Sequence, residues 1–231
     1  MATLVSKKLD APWERRLTLP TYQIGEAAAY AKVAPQTVAS WHKLEAALLK
    51  QREARSALSY YQLIEVAVVA AFRKAGVPMK NIRNARAYAA NELKSEYPFA
   101  QYSFKENAKH LYLDSRQIDV KAGTVVQTDQ GGQLEWESVI GRLREFEYEK
   151  QIALKWHVGG EGSPIIIDPR ISFGAPAVHG TPTWIIRGRF DAGESNSDIA
   201  DDFGLKPEEV KQALKFEESV ASGRTKSVAV H

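Results

Sequence analysis

Histidine, cysteine and the carboxylates are the side chains that would turn over a substrate or hold a metal, and here they are poorly placed for either. His42, His110, His157, His179 and His231 lie far apart, with no His-x-x-x-His and no His-Glu-x-x-His, so no two share a helix face at metal-ligand spacing. There is no cysteine, which removes disulfides, thiolate zinc sites, iron–sulfur ligation and a cysteine nucleophile. Gly159-Gly160-Glu161-Gly162 lacks the lysine and the serine or threonine of a phosphate loop and reads as a hinge. Asp201-Asp202 and Glu208-Glu209 read as solvated acids at helix ends and not as an acid–base pair. The expectation is a protein that is not an enzyme and takes no cofactor and no metal, so its chemistry is that of binding.

The distribution of cations points to one candidate ligand, with a solvated charged face as the other reading. Residues 1–98 carry 15 Lys and Arg against 8 Asp and Glu, a balance of +7, whereas residues 99–162 and 163–231 each carry 8 against 10, a balance of −2. Clustered cations neutralise phosphates and release counterions, which makes the N-terminal part the candidate for double-stranded DNA. Within it, Gln36, Thr37, Ser40, His42 and Lys43 form a polar set of the size a helix offers to base edges and phosphates in a major groove. Lys50, Arg52 and Arg55 follow in the place of a wing or extended arm that straddles phosphates.

Those side chains need helices under them. Arg16-Leu17-Thr18-Leu19-Pro20 reads as a short extended run, after which Ile24, Ala27, Ala28 and Ala31 recur at helical spacing and make a narrow stripe that lets a second helix approach closely. Pro35 opens that second helix, with Val38 and Trp41 turned inward and the polar set outward. Ser59 with Gln62 is a capping box before Leu63, Ile64, Ala67, Val68, Ala71 and Phe72. Gly76 and Pro78 end this long helix and restart the chain at 79–93, where Arg83 and Arg86 share a face.

Past residue 98, Phe99, Tyr102, Phe104, Tyr112 and Trp136 fall in short β-prone runs, and Gln130-Gly131-Gly132-Gln133 marks a hairpin over 125–136. Segment 139–155 returns to mixed helical charge, and 156–164 reads as a linker. Ile165-Ile166-Ile167 is a strand; a proline- and glycine-stiffened loop runs from 168 to 181. Helices follow over 183–192, from a Ser195 or Ser197 cap to Gly204, and over 206–218, with a polar tail from 219 to 231. At 231 residues and 44% apolar, the chain has the size and composition for two packed domains. With no apolar leader and no run of about 18 apolar residues, it is expected in the cytoplasm and off the membrane. The fold class is mainly α with a small β region, divided as 1–98, 99–162, 163–218 and a flexible 219–231.

The stretch from Tyr22 to Trp41, then Leu58-Ser59-Tyr60-Tyr61-Gln62-Leu63-Ile64 and Ala75-Gly76-Val77-Pro78-Met79-Lys80-Asn81-Ile82, resembles the MerR-like winged helix-turn-helix over about residues 16–93. Ala39 stands where such recognition helices carry an arginine. A helical bundle that binds protein is the other reading of these residues. In a metabolite-sensing MerR-like regulator, the aromatics after residue 98 would line an effector pocket; otherwise they are the core of a small sheet.

The C-terminal pattern is Asp168-Pro169-x-Ile171-x-Phe173-Gly174-x-Pro176-x-x-x-Gly180-Thr181, then Asp198-Ile199-Ala200-Asp201-Asp202-Phe203-Gly204-Leu205 and Glu208-Glu209-Val210. It is similar to a small uncharacterised domain found in VapB-type antitoxins of type II toxin–antitoxin systems, although that domain has an arginine and an aliphatic residue where this chain passes directly from Thr181 to Pro182. The resemblance implies an antitoxin and autorepressor, a homodimer whose partner is a PIN-type ribonuclease toxin. It implies that Arg187, Arg189, Arg224 and Lys226 meet the carboxylates of the toxin's metal site. The alternative is a MerR-like transcription regulator whose middle region senses a small molecule. Which helix-turn-helix touches DNA, and whether the tail folds on a toxin or frays, stay open at this level.

Overall fold

Ser59 starts the helix on which much of the fold is stacked. Its Oγ accepts from the Gln62 N–H while the Gln62 side chain accepts from the Ser59 N–H, the reciprocal capping box that its sequence encodes. The computed structural model describes residues 12–42, 57–101 and 143–228, with backbone only for residues 42 and 224–228. Its elements are a 3₁₀ turn Pro12–Leu17, then α1 (Ile24–Tyr30), α2 (Pro35–His42), α3 (Tyr60–Lys74), α4 (Met79–Glu92) and a 3₁₀ turn Pro98–Ala100. There follow β1 (Phe146–Glu149), β2 (Ile152–His157), β3 (Ile165–Ile167), β4 (Ala177–Val178), β5 (Thr181–Pro182), α5 (Thr183–Asp191), α6 (Asn196–Phe203) and α7 (Pro207–Val228). The fold is mainly α with one small antiparallel sheet of five strands in chain order. Among the described residues, no helix is long and apolar enough to cross a membrane.

Buried residues from every part join one cluster: Val38 and Trp41 of α2, Leu63 and Phe72 of α3, Leu154 and Trp156 of β2, Ile186 of α5, Ile199 of α6 and Val210 of α7. At its centre a charge is buried. Glu65 of α3, with no exposed surface, accepts from Arg86 Nε of α4 at 2.6 Å and from the Phe99 N–H at 2.8 Å, and Arg86 also donates to the Glu96 carbonyl at 2.7 Å. Burial pushes the Glu65 carboxyl up, and the Arg86 charge and hydrogen bonds pull it back. Arg86 is therefore a structural partner, and its shared face with Arg83 is not a free cationic surface.

Several sequence expectations are corrected. Segment 139–155 is not helical through its length: β1 and β2 form a hairpin that pairs Phe146 with Trp156 and turns at Lys150-Gln151, whose φ of 48° and 68° give the two-residue turn that matches strand twist. Residues 156–164 are not a linker, because Trp156 pairs with Ile167 across β2 and β3, and Trp156 and Val158 are buried. The expected boundary at 162 and 163 thus falls within a connection of one sheet. Arg16-Leu17 lies in a 3₁₀ turn and not in an extended run. The helix expected to stop at 218 continues to Val228, because Val220 is buried on the same face as Phe216. The tail is thus helical to Val228 where a flexible segment was expected. The hairpin over 125–136, and Tyr102, Phe104, Tyr112 and Trp136, lie outside the described residues. Phe99 is core, stacked on Phe72 at 5.9 Å.

Removing one partner of a buried ion pair leaves an uncompensated charge in the interior, which costs about 3–5 kcal/mol. Arg86→Ala is expected to lower unfolding free energy by about that amount in urea titration, and Glu65→Leu with Arg86→Met together to recover most of it. A loss near zero for Arg86→Ala would show that the pair does not hold α3 against α4.

Candidate nucleic-acid interface

The α1–α2 unit is built from local rules. Gln23 and Glu26 cap α1 reciprocally. At its other end the Ala31 N–H returns to the Ala27 carbonyl, and the Val33 N–H to the Ala28 carbonyl at 2.9 Å. Between them Lys32 takes φ 56°, the left-handed conformation that ends a helix and is unfavourable for a residue with a Cβ. Ala34 then accepts from the Thr37 and Val38 N–H groups, and Pro35 occupies the first helical position, where its missing N–H costs nothing. Val38 is fully buried and Trp41 nearly so, which rolls the opposite face outward.

On that face Gln36 and Ser40 are exposed and Thr37 is half-buried. The Ser40 hydroxyl donates to the Thr37 carbonyl at 2.7 Å, so it faces solvent as an acceptor. The Gln36 amide carries both donor and acceptor, the combination that reads an adenine edge. His42 lies at the end of α2, while Lys43, Lys50, Arg52 and Arg55 lie outside the described residues.

Two features were not read from the sequence. Gln36 shares a cavity of about 470 Å³ with Lys32, Pro35 and, from the far end of the chain, Ser219, Ser222 and Gly223 of α7. The start of α2 therefore has the C-terminal helix as its neighbour. Lys32 adds an exposed cation at the turn itself. Only the left-handed requirement of a tight helix-to-helix turn could have singled out that lysine.

The C-terminal helices form a second three-helix unit. Ser195 Oγ accepts from the Asp198 N–H at 3.2 Å to cap α6, and Gly204 at φ 63° ends it. Of the expected partner-binding cations, Arg187 on α5 already donates to Asp191 at 2.8 Å and to Glu218 at 3.5 Å. Arg189 donates to Glu194 and to Asp202, the latter at 2.6 Å, and its guanidinium lies 5.2 Å from the Phe203 ring centre. These carboxylates raise both arginines further above their ordinary range. The backbone at Arg224 and Lys226 continues α7. Among the described residues, no three His, Asp or Glu side chains sit together as a metal would need.

Residues 165–216, from β3 into α7, match DUF433, a family described as protein of unknown function. "Putative antitoxin VapB45" of Mycobacterium tuberculosis is 24% identical over 236 residues, which span 89% of this chain and 97% of that protein. The crystal structure of Rv2018 from Mycobacterium tuberculosis is similar with a TM-score of 0.72 at 20% identity, over 86% of this chain and 99% of that one, and the likeness shows a shared fold.

Proposed function

We propose that this protein is the antitoxin of a type II toxin–antitoxin pair, which neutralises a PIN-type ribonuclease and binds its own promoter as a homodimer. The observation that carries the reading is the end-to-end similarity to a mycobacterial protein bearing an antitoxin name, over 89% of this chain. The MerR-like helix pair in residues 1–98 supplies the DNA contact, with the exposed Gln36 and Ser40 toward base edges and Lys43, Lys50, Arg52 and Arg55 toward phosphates. The unit in residues 163–218 meets the toxin. Arg187 and Arg189 are bound to exposed carboxylates, and such surface pairs are worth only about 0–1 kcal/mol, so a toxin's clustered active-site carboxylates can replace Asp191 and Asp202 at little cost.

Fluorescence anisotropy of the full chain on its own promoter DNA tests the DNA half of the reading. Affinity is expected to fall steeply with salt, and Gln36→Ala with Lys43→Ala to weaken it by about tenfold or more and flatten the salt slope by about one unit. Unchanged binding by that variant would move DNA recognition off α2. Co-expression with the protein encoded beside it tests the antitoxin half: a stable complex that suppresses ribonuclease activity is expected, and no complex would remove it.

A second reading has one observation in its favour. A cavity of about 380 Å³ lies behind the α1–α2 turn, walled by Tyr30, Phe146 and Trp156, with Lys32, Arg73 and Lys74 outnumbering the one carboxylate of Glu145, a balance that suits a small aromatic anion. A small-molecule-sensing regulator would bind its effector there. A thermal shift with salicylate that is lost in Lys32→Ala would favour this reading, and no shift would count against it.

A further inference from the structure

The loop between β3 and β4 holds an aromatic side chain out in solvent. Phe173 is 76% exposed and Ile171, two residues before it, 39%. Ser172, Phe173 and Gly174 take φ of 45°, 57° and 79° in succession, the left-handed region that L residues with a Cβ avoid. Such a conformation persists only where the surroundings over-determine it.

Here they do so from several sides. The Gly174 N–H donates to the Ile171 carbonyl at 2.8 Å, the Ala175 N–H to the Ser172 carbonyl at 3.1 Å, and Ser172 Oγ to the Gly180 carbonyl at 3.1 Å. Tyr22 Oη donates to the Gly174 carbonyl at 3.0 Å and lies 2.1 Å from where a Cβ at Gly174 would stand, so only glycine fits. Upstream, the buried Asp168 accepts from Arg170 Nε at 2.9 Å, and the same guanidinium grips Glu149 of β1 at 2.6 and 3.0 Å. Arg16 donates to the Pro169 carbonyl at 2.9 Å and lies 4.4 Å from the centre of the Phe173 ring. The result is a rigid loop whose outermost group is an apolar ring with a cation on one face.

We propose that Phe173, with Ile171 beside it and Arg16 on its ring, is the anchor that inserts into an apolar pocket of the toxin whose rim carries carboxylates. The inference rests on the antitoxin reading and names the contact that reading leaves open. Pre-ordered aromatic anchors concentrate binding energy because little conformational freedom is lost on docking. Charge selects the occupant. Among the described residues Arg16 has no carboxylate partner, in contrast to Arg187 and Arg189, and its chain neighbour Arg15 is exposed. A second copy docking two-fold on this loop would set Arg16 against Arg16. A nucleic-acid base would find one face of the ring already taken by the guanidinium. An acidic protein rim satisfies both the ring edge and the free charge.

The test measures the affinity of the full chain for the PIN-type protein encoded beside it, by titration calorimetry, for wild type, Phe173→Ala, Phe173→Asn and Arg16→Glu. Asparagine tolerates the left-handed backbone, so it removes the ring while keeping the loop. Both Phe173 variants are expected to weaken the complex by about thirtyfold or more with unchanged circular dichroism, and Arg16→Glu to weaken it further at low salt than at high salt. No complex with the wild type overturns the antitoxin reading and this inference together. A wild-type complex that both Phe173 variants retain overturns the anchor alone. Phe173 variants that keep the toxin but lose promoter DNA, or turn a dimer into a monomer in light scattering, assign the loop to DNA or to self-association and overturn it as well.

Discussion

The packing of α7 against α1 is the contact on which the rest of the architecture depends. Tyr30 at the end of α1 stacks on Phe216 with ring centres 6.0 Å apart, and two turns further along α7 Gly223 lies against Ala29, whose Cβ would be 3.6 Å from a Cβ placed at Gly223. An aromatic pair contributes about 0.5–1.5 kcal/mol beyond the area it buries, and each large apolar side chain removed from water about 1.5–3 kcal/mol. The exposed ion pairs of α5 and α6 contribute less. Because α7 also covers α5 and α6, it is the beam that joins the α1–α2 helix pair at one end of the sequence to the helical unit at the other.

This geometry bears on how the two proposed activities relate. A chain with separate modules could bind DNA and a partner protein independently. Here Gln36 at the start of α2 lies beside Ser219, Ser222 and Gly223, so a shift of α7 would also move the α2 face proposed to meet DNA. The coupling runs through packed side chains and needs no linker. The loop carrying Phe173 is tied into the same body, since Tyr22, just before α1, bonds to Gly174.

What was legible in the sequence is what local chemistry decides. Ser59 with Gln62, Pro35, Ser195 and Gly204 sit where their capping roles predict, and the inward turn of Val38 and Trp41 followed from helical spacing. The hairpin of β1 and β2 was not legible because Lys150-Gln151 is not a recognised turn pair, so the alternating charges of that stretch passed for a helix. The extension of α7 was hidden for a different reason. Ser219, Ser222, Gly223 and Thr225 are weak helix formers, and what holds them helical is tertiary, in Val220 and in the approach of Gly223 to Ala29. The candidate site divides the same way. Gln36 and Ser40 are exposed as the helical spacing of α2 predicts, and the Asp191 partner of Arg187 lies at helical spacing. The Glu218 partner, the burial of Arg86 on Glu65 and the exposure of Phe173 depend on residues distant in the chain.

Calorimetric unfolding of the full chain tests whether the α1–α2 pair and the C-terminal helices form one body through α1 and α7. One cooperative transition is expected, with equal calorimetric and van't Hoff enthalpies, which Gly223→Leu shifts to lower temperature as a whole. Two separable transitions, or a Gly223→Leu chain that melts with the wild type, would contradict it.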